Sequence, residues 1–217
     1  MSVWINVIIL AAGFLILFAC AELMHHQFKL KAEITRKFVH LFTGFITLLF
    51  PIMLQNHWVV LFLCTSFAVL LVLSKKFHFL PSINKINRSS MGSVLYPVVV
   101  YGCYFAGDYF ESTLYFYSPI LILAVADPVA AICGKKWPFG KYAVFGNSKT
   151  LVGSGAFFTA AFFTTWMLFW IQAAIPHEKI SIVFLLAFFT ALAEGVSHKG
   201  FDNLTVPAVA LLLLIFS

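Results

Sequence analysis

Long apolar runs separated by short polar connections are the feature that most restricts the fold of this 217-residue chain. Only 10% of its residues are charged, whereas a soluble domain averages about 25%. A membrane-spanning helix needs roughly 17–25 predominantly apolar residues. The sequence therefore predicts an all-α, polytopic transmembrane helical bundle, a single integral-membrane domain over residues 1–217, with candidate spans at 3–23, 37–54, 57–73, 91–107, 113–133, 151–174, 180–195 and 204–216.

The first and last apolar runs need separate interpretation. The first run lacks the basic n-region of a signal peptide and is followed by further spans, so we interpret it as the first transmembrane helix. The last two runs, 180–195 and 204–216, are short and could together form one broken unit. The sequence therefore predicts seven or eight spans.

The positive charges lie on one set of connections. All of the 14 Lys and Arg residues except Lys179 fall in connections that follow odd-numbered spans. The positive-inside rule makes that side cytoplasmic and the N-terminus external. We expect a multi-pass protein of the plasma (inner) membrane, whose cytoplasmic face also carries most of the Asn, Ser, Gly and acidic residues.

The cysteines and histidines do not indicate a metal or disulfide framework. The four cysteines are scattered through apolar runs without a C-x-x-C pair, so each is expected to be a small buried hydrophobic residue. His25 and His26 are adjacent and the other histidines are scattered. The chemistry is therefore expected among the polar groups of the cytoplasmic face.

The segment 126–150, ADPVAAICGKKWPFGKYAVFGNSKT, places an acid inside a predicted span. An ionised Asp within a bilayer costs roughly 2.5–3.5 kcal/mol, so Asp127 is expected to face a wet cavity. Pro128 removes a helix hydrogen bond and predicts a bend, and the small Gly134 allows another backbone to come close. The alternative is a structural Asp bonded to neighbouring helices. Function is favoured because four lysines follow at once: Lys135, Lys136, Lys141 and Lys149.

The end of this segment, GNSKT, is similar to the tail of a nucleotide-binding P-loop. A Walker A motif needs four residues between its glycines and a preceding strand. Five residues lie between Gly140 and Gly146, so we reject a P-loop fold. The free N–H groups at the start of span six, its small residues and its lysine still favour a phosphate. The candidate ligands are Lys149, Thr150, Gly153 and Ser154, and the alternative is an ordinary N-cap made by Thr150 or Ser148.

A second polar loop, EGVSHKGFDNLTVP (194–207), follows span seven. It contains Glu194, Asp202 and Asn203 within a short stretch. Because Mg²⁺ prefers one or two carboxylates together with substrate phosphates, this loop could hold Mg²⁺ with a nucleotide. The alternative is a solvated turn, and spacing alone does not decide between them.

Two further stretches begin predicted spans with cations: TRKFVHLFTG (35–44) and NRSSMGSVLYP (87–97). In the first, Arg36 and His40 are four residues apart and share one helix face, and Lys37 lies beside Arg36. In the second, Arg88 precedes span four. The alternative for each stretch is a membrane anchor with a cap, and a lone His is more often a packing residue than a catalyst.

Together these stretches resemble the integral-membrane, CTP-dependent lipid-alcohol kinases, which include phytol kinase, dolichol kinase and yeast-type diacylglycerol kinase. RKFVHLFTG is similar to R-K-x-x-H-x-x-x-G, and RSSMG to R-x-S-x-G. ADPVAAICGKK and NSKTLVGS resemble D-x-x-A-x-x-x-G-[KR] and K-[ST]-x-x-G-S, and the stretch ending in DNLTVP resembles the family's acidic finish. Each motif alone is weak, but four in the right order over residues of about 33–210 are specific.

The resemblance implies transfer of the γ-phosphate of CTP to the hydroxyl of an isoprenoid or other lipid alcohol at the cytoplasmic face. Its implied partners are a lipid alcohol, a nucleoside triphosphate, Mg²⁺ and membrane lipids, with no nucleic acid. It places two sets of residues at the site. The nucleotide set is Asp127, Lys135, Lys149, Glu194, Asp202 and Asn203, and the neighbouring set is Arg36, Lys37, His40 and Arg88.

On this basis we expect Asp127, His40 and Asp202 to be catalytic and Mg²⁺ to bind Asp127, Asp202 or Glu194. Phosphoryl transfer asks a protein mainly to position groups and neutralise charge, so the triphosphate would lie against Lys135, Lys136, Lys141 and Lys149. The lipid tail would lie in a phenylalanine-lined groove between helices. Either a carboxylate or His40 could accept the hydroxyl proton.

Two other functions compete with the kinase interpretation. A phosphatidate cytidylyltransferase would also use CTP, but its longer Lys-Asp and Pro-Gly-His-Gly-Gly signature does not occur here. A small transporter with a midplane acid would need charged residues along a route across the bilayer. In this sequence the charged residues gather at one face, which argues against a translocation path.

Overall fold

The computed structural model describes residues 2–84, 90–145, 147–172 and 180–217. This part of the chain is almost entirely helical, so the prediction of an all-α polytopic bundle is confirmed. The first half contains α1 (Val3–His26), α2 (Ala32–Thr47), α3 (Phe50–Met53), α4 (His57–Lys76), α5 (Pro81–Asn84) and α6 (Gly92–Tyr109). The second half contains α7 (Leu114–Leu121), a π-helix (Ile122–Ala126), α8 (Asp127–Lys136), β1 (Lys141–Val144), β2 (Asn147–Thr150), α9 (Leu151–Ile171), α10 (Ile180–Val196) and α11 (Asp202–Ile215).

The helices follow the predicted spans. Within the described residues, five helical segments are long and apolar enough to cross a membrane: Val3–His26, Ala32–Met53, His57–Lys76, Leu114–Lys136 and Leu151–Ile171. The last two apolar runs form separate and shorter helices, α10 and α11. Which side of the membrane each end faces stays a prediction.

The segment Leu114–Lys136 lies at the centre of the bundle. Of its most apolar window, 61% is buried inside the protein, whereas the corresponding value for Val3–His26 is 28%. The outer helix α1 instead exposes large apolar side chains such as Ile8 and Ile16, as expected for a surface that faces lipid. Asp127, which lies in the central segment, is therefore shielded from lipid by other helices.

The central segment changes its helical hydrogen bonding immediately before Asp127. Residues Ile122–Ala126 form a π-helix, and Pro128 follows at the start of α8. Proline has no N–H to donate, and π-helical turns are rare insertions that occur frequently at functional sites. The irregularity that Pro128 predicts thus takes the form of a widened turn.

Two glycines allow close helix packing around this turn. A Cβ on Gly44 of α2 would lie 2.3 Å from the Cβ of Ala124, so α2 can approach the π-helix only because Gly44 has no side chain. A Cβ on Gly134 would lie 3.3 Å from the Cα of Gly153, which brings α8 against α9 as the small size of Gly134 predicts. These two contacts fix the helices that carry the candidate site.

A short β-hairpin joins α8 to α9 and was not predicted from the sequence. Its strands are antiparallel, with Lys141 opposite Thr150 and Val144 opposite Asn147. The hairpin leads directly into α9, whose first turn is capped because the Thr150 hydroxyl accepts a hydrogen bond from Gly153 N–H at 3.0 Å.

Candidate active site

A cavity lies between the N-terminal helices and the central segment. Its polar end consists of Arg36, Lys37, His40, Asp127, Asp202 and Asn203. Its apolar end, at the other end of α2, is lined by phenylalanines from three helices, namely Phe14, Phe18, Phe50 and Phe67. The cavity therefore joins a charged region to a hydrocarbon-like chamber without a break.

Asp127 is the most deeply buried acid at the polar end. The residue is only 5% exposed, and its carboxylate forms an ion pair with Lys37 of α2. A buried carboxylate without a partner would be strongly unfavourable, so Lys37 is what allows Asp127 to remain ionised here. The two residues are 90 positions apart in the chain and meet because Gly44 lets α2 lie against the π-helix.

His40 lies beside this pair and is held by the backbone. Its Nε2 atom is 3.2 Å from the Leu123 carbonyl oxygen and 3.7 Å from Asp127 Oδ2. Because a carbonyl oxygen only accepts hydrogen bonds, Nε2 must carry the hydrogen in this arrangement. The Leu123 carbonyl lies in the π-helix, so the irregular turn also positions the imidazole.

A second lysine–carboxylate pair lies where α9 begins and α10 ends. Lys149 forms an ion pair with the Glu194 carboxylate and donates a further hydrogen bond of 2.7 Å to the Glu194 carbonyl oxygen. Both side chains are largely buried. The charges of Asp127 and Asp202 act on Glu194, which places all three acids in one electrostatic neighbourhood.

Asp202 and Asn203 begin α11 and face the polar end of the cavity. Asp202 Oδ1 accepts a hydrogen bond from Asn203 N–H at 3.1 Å, and Asn203 Nδ2 donates one of 2.8 Å to the Gly92 carbonyl. Gly200 has φ of +85°, and a Cβ there would lie 2.5 Å from Gly92 N. Only glycine at position 200 lets the loop before α11 lie this close to the start of α6.

The predicted cations of the other stretches occupy different positions. Arg36 donates a hydrogen bond of 3.0 Å to Ser90 Oγ and lines the cavity. Arg88 lies outside the described residues. Lys135 pairs with Glu33 at 2.8 Å on the surface, Lys136 lies over the Trp137 ring, and Lys141 is exposed on the hairpin. The structure does not place these three lysines on the cavity wall.

Three further candidate phosphate ligands have structural roles. Thr150 caps α9, and Gly153 packs against Gly134. The Ser154 hydroxyl lies 2.7 Å from the hydroxyl of Tyr142 on the hairpin. The ordinary cap that sequence analysis offered as an alternative is therefore present, and of this stretch only Lys149 reaches the group of buried acids.

The predicted metal ligands do not form a closed cluster by themselves. Among the described residues, no group of three or more His, Cys, Asp or Glu side chains is arranged to hold a metal ion. Asp127 and Glu194 are each paired with a lysine, and Asp202 has no ion-pair partner in the described part of the chain. Because Mg²⁺ needs only one or two carboxylates when phosphates supply the remaining oxygens, this donor set fits a metal that arrives with a nucleotide.

Sequence analysis missed the polar groups on the cavity wall beyond His40. Thr43 lies three residues after His40, on the same face of α2, and Tyr96 of α6 packs its ring edge-on against the imidazole with centroids 5.3 Å apart. The helical period that linked Arg36 to His40 extends to Thr43 and could have identified it. No comparable local signal exists for Tyr96, which contacts α2 only through the tertiary fold.

Comparison with known proteins shows one informative similarity. Over 209 residues the chain is 29% identical to the protein named phytol kinase from Synechocystis sp., an alignment that covers 95% of this chain and 89% of that protein. No protein-family model matches the chain. No solved structure matches it. The similarity supports a phytol kinase-like family for this chain.

Proposed function

We propose that this membrane protein transfers the γ-phosphate of CTP to the hydroxyl of an isoprenoid or other lipid alcohol at the cytoplasmic face. The similarity to phytol kinase supports a lipid-alcohol kinase. The motif resemblance supports CTP as the donor, and the charge distribution supports the cytoplasmic location.

The observation that carries the proposal is the continuity of the cavity from Asp127 to Phe50. A lipid alcohol has one polar end, and phosphoryl transfer must take place at that end. The cavity matches this requirement, because its charged end contains lysine, arginine and acidic groups while its other end is phenylalanine-lined. Along α2, the separation of ten positions between Lys37 and Thr47 corresponds to a depth of about 15 Å, which is enough to enclose a substantial part of an alkyl chain.

The two buried lysines are the groups best placed to bind phosphate oxygens. In the absence of nucleotide, Lys37 and Lys149 neutralise Asp127 and Glu194. A triphosphate brings several negative charges to the same place, and each ammonium group can share its donors between carboxylate and phosphate. Arg36 adds a planar donor at the polar end, so these cations would offset the charge of the transferring phosphoryl group.

Asp127 is the stronger candidate for accepting the proton of the substrate hydroxyl. The Nε2 atom of His40 carries a hydrogen in its bond to Leu123 O, so this nitrogen cannot act as a base in the observed position. His40 would instead help to orient Asp127, and Lys37 keeps that carboxylate ionised. Asp202, together with Asp127 or Glu194, would hold Mg²⁺, which supplies charge neutralisation across the phosphates when it is bound.

Purified protein in detergent tests the activity directly. Each γ-labelled nucleoside triphosphate is incubated with phytol, farnesol, undecaprenol or diacylglycerol, and label in the lipid phase is measured. The proposal expects transfer from CTP, with a lipid phosphomonoester and CDP as products. CDP-lipid with pyrophosphate would instead identify a cytidylyltransferase and contradict the proposal.

Asp127→Asn tests the site with little change in volume. We expect it to abolish turnover, because it removes both the proton acceptor and a metal ligand, while the protein still inserts into the membrane. Asp108→Asn, an exposed acid at the far end of α6, is the matched control and should retain full activity. Turnover by Asp127→Asn at the wild-type rate would refute the assignment.

A further inference from the structure

The cavity wall contains two hydroxyl groups whose hydrogen-bonding capacity is unused. Thr43 and Tyr96 both line the cavity. Their oxygen atoms are buried, and neither has a hydrogen-bond partner among the described residues. Tyr96 as a whole is only 6% exposed, and the hydroxyl of the neighbouring Thr47 donates to the Gly44 carbonyl at 2.7 Å.

Both hydroxyls lie at one level, about one helical turn deeper than His40. Thr43 is three residues further along α2, a rise of about 4.5 Å. The Tyr96 oxygen is 3.5 Å from the position that a Cβ on Gly44 would occupy, four residues after His40. The two hydroxyls therefore lie between the charged groups and the phenylalanines. In a bound lipid alcohol, this level corresponds to the first few bonds after the reacting hydroxyl.

We propose that Thr43 and Tyr96 determine substrate specificity by binding an acceptor oxygen of the lipid alcohol, such as an ester carbonyl, a few bonds from the reacting hydroxyl. This inference rests on the proposed kinase function, which it narrows to a class of alcohols. A substrate that is pure hydrocarbon at this level would leave two buried donors unsatisfied, and a site built with such donors discriminates strongly against ligands that lack the acceptor. An ester carbonyl would satisfy both, since it has two lone pairs.

Thr43→Val and Tyr96→Phe remove only the hydroxyls and preserve the shape of each side chain. The probes are the ethylene glycol monoester of a fatty acid and a straight-chain primary alcohol of equal length, which differ in the carbonyl that follows the hydroxyl. We expect the wild-type protein to prefer the monoester. The preference is measured as kcat/KM for the monoester divided by kcat/KM for the hydrocarbon alcohol. Each substitution should lower this ratio by about ten-fold, as expected for loss of one hydrogen bond.

Two chemically matched controls are available in the same protein. Ser118 and Thr165 also carry buried hydroxyls without a partner in the described part of the chain, but neither lines this cavity. Ser118→Ala and Thr165→Val should therefore leave the preference unchanged. An equal ratio in wild type and in both cavity variants would overturn the inference while leaving the kinase proposal intact.

Binding measured without turnover separates the inference from the kinase proposal. Each alcohol should raise the midpoint of thermal unfolding according to its affinity, and the monoester should stabilise the wild-type protein more than the hydrocarbon alcohol does. The difference should disappear in the double variant Thr43→Val/Tyr96→Phe. Even if neither alcohol is phosphorylated, this shift decides the inference: its presence supports specific binding and its absence refutes it. The kinase proposal is decided separately, by the assay with the four lipid alcohols.

Discussion

The lysines of the polar stretches come from the same kind of sequence but occupy different environments. Lys37 and Lys149 are largely buried and hold acids of the bundle interior. Lys135 is exposed and pairs with Glu33, which is itself only partly buried. The comparison shows that these lysines form two populations, one that is largely buried in ion pairs of the bundle interior and one that is exposed at the surface.

The largest expected difference is between Lys37→Met and Lys135→Met. Removing Lys37 leaves the buried Asp127 without its partner, which costs about 3–5 kcal/mol for a buried pair, and also removes a phosphate-binding donor. We expect loss of kinase activity and a lower unfolding midpoint in detergent. Thermal unfolding and turnover on the same preparation measure both effects.

A smaller effect is expected at the second buried pair. Lys149→Met should raise the KM for nucleotide by roughly ten- to a hundred-fold, the value of a charged hydrogen bond, and should destabilise the protein by leaving Glu194 unpaired. The double variant Lys149→Met/Glu194→Gln removes both charges, so it should recover stability without recovering nucleotide affinity. Recovery of both would make this pair purely structural.

The smallest effect is expected at the surface. Exposed ion pairs contribute about 0–1 kcal/mol, so Lys135→Met should change the unfolding midpoint little and the nucleotide KM by less than about two-fold. A large rise in KM for this variant would place the triphosphate beside Lys135 and remove the distinction between the two populations of lysines.

The spans and the polar stretches of the site were predictable because both signals are local. Hydropathy depends on consecutive residues, and the motifs around His40, Asp127 and Asp202 are short. The pairing of Lys37 with Asp127 was not predictable, since it depends on the close contact between Gly44 and Ala124 across the bundle. The sequence identified both Lys37 and Asp127 as candidate site residues, but it did not show which lysine neutralises which acid.

The hairpin was not predictable from the sequence for a different reason, and neither was the separation of the lysines into buried and exposed ones. The two strands of the hairpin, Lys141–Val144 and Asn147–Thr150, are only four residues long, which is too short for a periodic pattern to show in the sequence. The same segment carries Lys141 outward and Lys149 inward to Glu194. A row of lysines in a sequence therefore indicates a basic segment but does not show which of its members face the interior.

The central claim is that one cavity holds the reacting hydroxyl beside Asp127 and the lipid tail beside the phenylalanines. Photolabelling with a lipid alcohol that carries a diazirine in its tail tests it most directly, with the labelled residues identified by mass spectrometry. The claim predicts labels on the cavity phenylalanines, Phe14, Phe50 and Phe67, that are lost when unlabelled substrate is added in excess. Labels confined to lipid-facing positions such as Ile8 and Ile16, unaffected by competitor, would contradict it.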